Sequence, residues 1–189
     1  MPEYVLYGVE CSYYAAKTRA QLAFKRLPYR EVQASRRVYA EEILPRVGWP
    51  VVPVLVTPDG ATLQDTSDIF DALEARHPRP ACLPVDGRGR VLSYLLEFLG
   101  DEWLKLPAMH YRWNHNHDYI VDEFGRNNDP GLPAARQRAI GEKIAPRFHG
   151  WLPPLGIVPA THACIEAEYL AFLDLFDAHL RVTPYLLGA

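Results

Sequence analysis

Methionine and cysteine are scarce in this chain of 189 residues, with two of the first and three of the second. An odd set of cysteines, Cys11, Cys82 and Cys164, with no paired metal-ligand spacing, argues against a disulfide framework and a cysteine zinc site and leaves reduced thiols as the expectation. Positive charge is not in surplus: 20 Lys and Arg against 23 Asp and Glu leave a net charge of −3, so nucleic acid is not an expected partner. No apolar run approaches the roughly 20 residues of a spanning helix, and no basic segment followed by an apolar core opens the chain. A cytoplasmic protein without membrane association is therefore expected. There is also no internal repeat.

What is present is a hydrophobic content of 49%, ample for a core, and 17 prolines that fall between apolar segments. The most telling stretch runs from Val51 to Ile69. Pro53 lacks the N–H that a sheet ladder uses, so it must start a strand or lie on an outward edge, and such an edge can pair with something extended. Pro58-Asp59-Gly60 supplies a turn, so Val51–Gln64 reads as a β-hairpin. Asp65, Thr66 or Ser67 can then cap a helix whose Ile69, Phe70 and Leu73 recur at helical spacing. Its first turn offers free N–H groups to a carboxylate.

Upstream, Glu3 to Tyr7 reads as a strand, Tyr14 to Lys25 as a helix, Tyr29 to Gln33 as a half-buried strand and Tyr39 to Leu44 as a short helix stopped before Pro45. The order β-α-β-α-β-β-α predicts a mixed sheet with helices packed on it. Residues 1–78 form one expected domain, 79–87 a proline-rich linker and 88–189 an all-helical domain. In the latter, Leu92, Leu95, Leu96, Leu99, Trp103 and Leu106 predict one buried helix face, with Pro107 ending or kinking it. Residues 133–148 and 164–180 predict two more helices, the last apolar at Ile165, Tyr169, Phe172, Leu173 and Phe176. Between Trp113 and Asp129 the polar composition and the Gly125 to Pro130 breaker predict a loop or a frayed helix end.

Leu6-Tyr7-Gly8, Ser12-Tyr13-Tyr14 with Lys17 and Arg19, Val52-Pro53-Val54-Leu55 and Asp65-Thr66 together resemble the glutathione S-transferase family of bacterial type. The resemblance covers the chain, weakly after Arg112. It implies a thioredoxin-like N-terminal domain and a C-terminal helical bundle, a cis Val52–Pro53 bond, and glutathione as co-substrate with no tightly bound cofactor. Glutathione's cysteinyl unit would pair with the Val52 backbone, and Asp65 and Thr66 would receive its γ-glutamyl end. Placing Arg19 on the family's arginine puts Ser12 at the catalytic serine or cysteine position, with Tyr13 in place of the proline often found next.

A hydroxyl at a helix start can donate to the glutathione sulfur and favour its thiolate, and Tyr13 or Tyr14 could do so through a phenol. Cys11 offers a different chemistry, a mixed disulfide in a monothiol transfer or reduction, as in omega-like transferases or glutaredoxins. The expected activity is conjugation of the glutathione thiolate to a small apolar electrophile, in detoxification. The alternatives are the Cys11-dependent thiol-transferase and a non-catalytic binding or scaffold module.

Met109, Tyr111 and Trp113 are candidates for the electrophile pocket. His110, His115 and His117 are spaced five and two residues apart, which matches no α-helix face, so no metal site is expected. A homodimer is expected by resemblance. The chain stops where such transferases usually begin another helix, so the second domain is expected to be shortened or different, with an apolar face on its last helix that association could cover.

Overall fold

Tyr4, Leu6 and Tyr7 are the large buried side chains of a first strand whose alternate faces serve two separate cores, and this decides how the rest packs. The computed structural model describes residues 3–187. Its first strand, β1 (Tyr4–Gly8), is followed by α1 (Tyr13–Phe24) and then β2 (Tyr29–Gln33). Next come α2 (Arg36–Val38), a π turn (Tyr39–Ile43) and α3 (Leu44–Val47). The hairpin of β3 (Val54–Val56) and β4 (Thr62–Gln64) leads into α4 (Thr66–Arg76). Strand order is β2-β1-β3-β4, with β1 and β2 parallel and the other pairs antiparallel. This is the expected mixed sheet in a β-α-β-α-β-β-α order.

On one face Tyr4, Leu6 and Leu55 pack with Leu22 of α1 and with Ile69 and Leu73 of α4. On the other, Tyr7 and Val54 pack with Ala34 and Ile43. Each fully buried Leu or Ile here contributes about 1.5–3 kcal/mol. The hairpin turn forms as its residues dictate: Gly60 has φ +87°, Gly60 N–H donates to Thr57 O at 2.8 Å, and the Thr57 hydroxyl bonds the Asp59 carboxylate.

Pro45 does not stop its helix as expected. It lies in the first turn of α3, straight after the π turn. Gly48 ends α3 in the left-handed conformation at φ +81°. Nor is β3 an edge strand: it pairs on both sides, and the sheet edges are β2 and β4. Pro53 precedes the ladder, which begins at Val54, so only the segment leading into β3 is open to pairing.

The remainder is helical: α5 (Gly87–Phe98), a π turn (Leu99–Trp103), α6 (Lys105–His110), a π turn (Tyr111–His115), α7 (His117–Asn128), α8 (Ala134–His149) and α9 (His162–Val182). Asp86 caps α5 through Gly89 N–H at 2.8 Å. The stretch expected as a loop is mostly α7, and Gly125 is no breaker. A Cβ there would lie 1.9 Å from the Gln137 carbonyl oxygen, so only glycine lets α7 and α8 approach this closely. Pro107 lies in the first turn of α6, after the turn residue Leu104 at φ −70° and ψ −8°.

The chain divides into two compact units. The first comprises the stretch up to Cys82 together with Asp122–Gly141, and the second comprises Leu83–Val121 and the stretch from Glu142 onward. Their boundaries fall inside α7 and α8, so a segment of the helical half belongs to the sheet unit. In the second unit the expected buried face of α5 is not buried: Leu92, Leu95 and Trp103 are exposed, and Leu96, Leu99 and Leu106 are half-buried. Among the described residues, no helix is long and apolar enough to cross a membrane.

Candidate functional site

Register places three chain segments at one end of the sheet. Tyr7 pairs with Val54 and Val54 with Gln64, so the exit of β1, the entry to β3 and the exit of β4 lie side by side. From β1 the chain runs through Val9 to Ser12 and into α1, Val51–Pro53 lead into β3, and Asp65 and Thr66 open α4. In a sheet with parallel strands this end is where ligands are commonly held.

Ser12 is the N-cap of α1, its Oγ accepting from Ala15 N–H at 3.1 Å. The loop before it is fixed: Ser12 N–H donates to Val9 O at 3.0 Å, and Arg19 donates to that carbonyl at 2.6 Å while pairing with Glu31 at 2.9 Å. A serine hydroxyl that accepts at a cap still carries a proton to donate. Tyr13 is exposed and Tyr14 half-buried, their rings edge to face at 5.2 Å. Tyr7 is buried and donates to Glu42, and burial with that bond raises its pKa, so it stays a neutral phenol.

The Val52–Pro53 peptide is cis, Pro53 is buried and Val52 stands one residue before it, outside the ladder. Asp65 caps α4 by accepting from Ser67 N–H at 2.8 Å, and its backbone lies at φ +76°, a conformation that costs a non-glycine residue of order 1–3 kcal/mol. Thr66 turns inward: its side chain is buried and accepts from Lys17 Nζ at 3.2 Å. Lys17 thus joins α1 to the start of α4, a tie that nothing local in the sequence signals.

Cys11 is half-buried beside Asn127 of α7, whose Nδ2 donates to its sulfur at 3.7 Å. Asn127 is itself held by Gln33 Nε2 at 3.0 Å and donates to Glu123 O at 2.7 Å. A polar cleft of about 670 Å³ opens beside the β1–α1 loop, with Gly8, Val9, Glu10, Arg19, Gln33 and Asn127 among its lining residues. None of Ser12, Val52, Pro53, Asp65 and Thr66 lines it.

In the second unit Trp113 is buried and stacked on Phe148 at 5.3 Å and 14°, which makes it a core residue. Tyr111 is half-buried 5.7 Å from the Tyr169 ring, and Met109 is half-buried. An apolar cavity of about 550 Å³ is lined instead by residues including Leu99, Pro107, Ile165 and Phe172. His110 and His115, expected to diverge, have their Nε2 atoms 3.2 Å apart, whereas His117 turns towards His149.

Residues 6–81 match the family model described as the glutathione S-transferase N-terminal domain. No curated protein matches the chain. Among solved structures, a glutathione S-transferase from Methylobacterium radiotolerans in complex with glutathione sulfonate is 25% identical with a TM-score of 0.51, over 79% of this chain and 65% of that one. This chain thus spans just under two thirds of that relative's length. A glutathione S-transferase from Rhodospirillum rubrum is 22% identical, TM-score 0.51, over 98% of this chain and 70% of that one. Glutaredoxin 2 from Salmonella typhimurium in complex with glutathione is 18% identical, TM-score 0.55, over 100% of this chain and 78% of that one. The last two are likenesses of fold.

Proposed function

We propose that this chain binds glutathione at the sheet end and conjugates its thiolate to a small apolar electrophile, a reading supported by the match of residues 6–81 to the glutathione S-transferase N-terminal domain model. The observation that carries the reading is the convergence there of the Ser12-capped α1, the cis Val52–Pro53 segment and the Asp65-capped α4. The cysteinyl unit pairs with the Val52 backbone as an added strand. The γ-glutamyl carboxylate takes the free N–H groups at the start of α4, and the Asp65 carboxylate faces the ammonium. Thr66 contributes its backbone N–H, since its hydroxyl is turned to Lys17.

Ser12 donates to the sulfur, which favours the thiolate; the thiol proton goes to solvent, the sulfur bonds the electrophilic carbon, and the leaving group departs with its electron pair. Glutathione is a co-substrate, with no tightly bound cofactor. Calorimetric titration with glutathione and a conjugation assay test this. Ser12→Ala is expected to lower kcat by about 10²-fold with binding nearly kept. Absence of glutathione binding would sink the proposal and leave a scaffold role.

A second reading rests on the Asn127 Nδ2 that donates to Cys11. A donor on sulfur favours the thiolate, and a Cys11 thiolate could attack a glutathionylated substrate and form a mixed disulfide, releasing the substrate thiolate. The thiolate of a second glutathione would then attack the glutathione sulfur of that mixed disulfide, forming glutathione disulfide and freeing the Cys11 thiolate. Loss of activity in Cys11→Ser but not in Ser12→Ala would decide for it. A detoxifying role in the cytoplasm belongs to the conjugation reading, and cell fractionation tests its location.

A further inference from the structure

Three side-chain atoms from three elements of the second unit, α6, the π turn after it and α9, meet at one point. His110 Nε2 lies 2.9 Å from Glu166 Oε1, His115 Nε2 lies 3.2 Å from the same oxygen, and the two imidazole nitrogens are 3.2 Å apart. In a regular α-helix, residues five apart point about 140° away from each other. The π turn Tyr111–His115, closed by Asn116 N–H donating to Tyr111 O at 2.9 Å, widens the turn by a residue and brings His110 and His115 onto one face. Glu166 comes from α9, where His162 lies one turn earlier on the same face, its ring centre 4.4 Å from that of His110.

We propose that His110, His115 and Glu166 bind a divalent transition-metal ion, with zinc the best match and water completing the fourth position. Zinc holds imidazole nitrogen and carboxylate oxygen at about 2.0–2.2 Å in a tetrahedron, which spaces neighbouring ligand atoms about 3.3 Å apart. The observed separations of 2.9, 3.2 and 3.2 Å match that spacing before any adjustment. An ion at bonding distance from all three stands about 1 Å out of their plane, and His115 and Glu166 are partly open to solvent, which can supply the water. Two imidazoles with one carboxylate favour zinc and its neighbours over magnesium or calcium.

His110 is buried, and its orientation is fixed from behind by the Asn114 amide, 2.9 Å from Nδ1. Asn114 Nδ2 occupies that position; a half-turn of the amide would put Oδ1 there, keep the imidazole proton on Nδ1 and leave the Nε2 lone pair to the ion. The ion would tie α9 to the turn after α6, so binding adds to stability by mass action.

The untagged 189-residue chain, stripped by chelator, is titrated with zinc sulfate by calorimetry and with cobalt(II) by visible absorption. One ion per chain is expected, with the cobalt spectrum of a four-coordinate site. Glu166→Gln and His115→Ala, both at partly exposed positions, are expected to weaken zinc at least ~10-fold with the circular dichroism spectrum unchanged. Cys164→Ser and His179→Gln, outside the cluster, are expected to leave affinity unchanged. Absence of stoichiometric binding, or binding that survives both Glu166→Gln and His115→Ala, would reduce the cluster to two imidazoles hydrogen-bonded to a carboxylate. His110→Gln is a further arm, and the two exposed variants decide the matter if that buried change unfolds the protein.

Discussion

Whether a thiol reacts depends on how easily it gives up its proton and on whether a reagent reaches it, and Cys82 is held back on the first count. Burial, then the hydrogen bond to Glu74, pushes the Cys82 thiol up to about 12, whereas Cys164 is exposed on α9. Iodoacetamide at mildly alkaline pH, read by peptide mass spectrometry, is expected to label Cys164 in the folded protein and Cys82 only after unfolding in urea. Labelling of both at equal rates would contradict the burial argument. A cap among Asp65, Thr66 and Ser67, which the structure assigns to Asp65, was legible because a cap is a bond within three residues. The neighbours of Cys11 and Cys82 were not, because Asn127 and Glu74 reach them only through the fold.

Lys25 makes the same point for elements. It is the C-cap of α1, its side chain is fully buried, and its Nζ reaches Glu74 at 2.5 Å and the carbonyls of His77 and Pro80 at 2.6 and 2.9 Å. It thereby fastens α1 to α4 and to the chain leaving the sheet unit. Lys25→Met would leave the carboxylate and two carbonyls without their donor, a loss of about 3–5 kcal/mol expected as a lower urea midpoint. Burial alone would raise the Glu74 carboxyl, but hydrogen bonds from Lys25 and Cys82 outweigh it and hold it low. A carboxyl lower in the folded than in the unfolded state contributes stability present above its unfolded pKa and lost as pH falls through the folded one. Thermal melts are therefore expected to fall below about pH 4.5, near the ordinary carboxyl value, and to fall less steeply there in Glu74→Gln.

At the level of the whole molecule, apolar side chains remain uncovered along α5, the following π turn and α9. Leu95 is 59%, Phe98 65%, Trp103 60% and Leu175 73% exposed, and α5 and α9 have no buried residue. A monomer rarely leaves so much large apolar surface open. We propose that a second copy of the chain covers it. Sedimentation equilibrium is expected to give twice the 21.5 kDa of one chain, and Phe98→Glu with Leu175→Glu to return the monomer. A wild-type monomer at micromolar concentration would refute this.

The sequence by itself determined the strand and helix order of the first 77 residues, the hairpin turn and a cap among Asp65, Thr66 and Ser67, because each rests on periodicity or on bonds a few residues long. It also marked Pro53, through the N–H that proline lacks. Only the tertiary structure decided that β3 lies inside the sheet, that residues 122–141 join the sheet unit, that Gly125 is a close-packing point and that α5 buries no full face. It also brought His110 and His115 together through a π turn. These outcomes depend on which surfaces meet across long separations and on a helix winding wider than its average pitch, and neither is written in the spacing of residues along the chain.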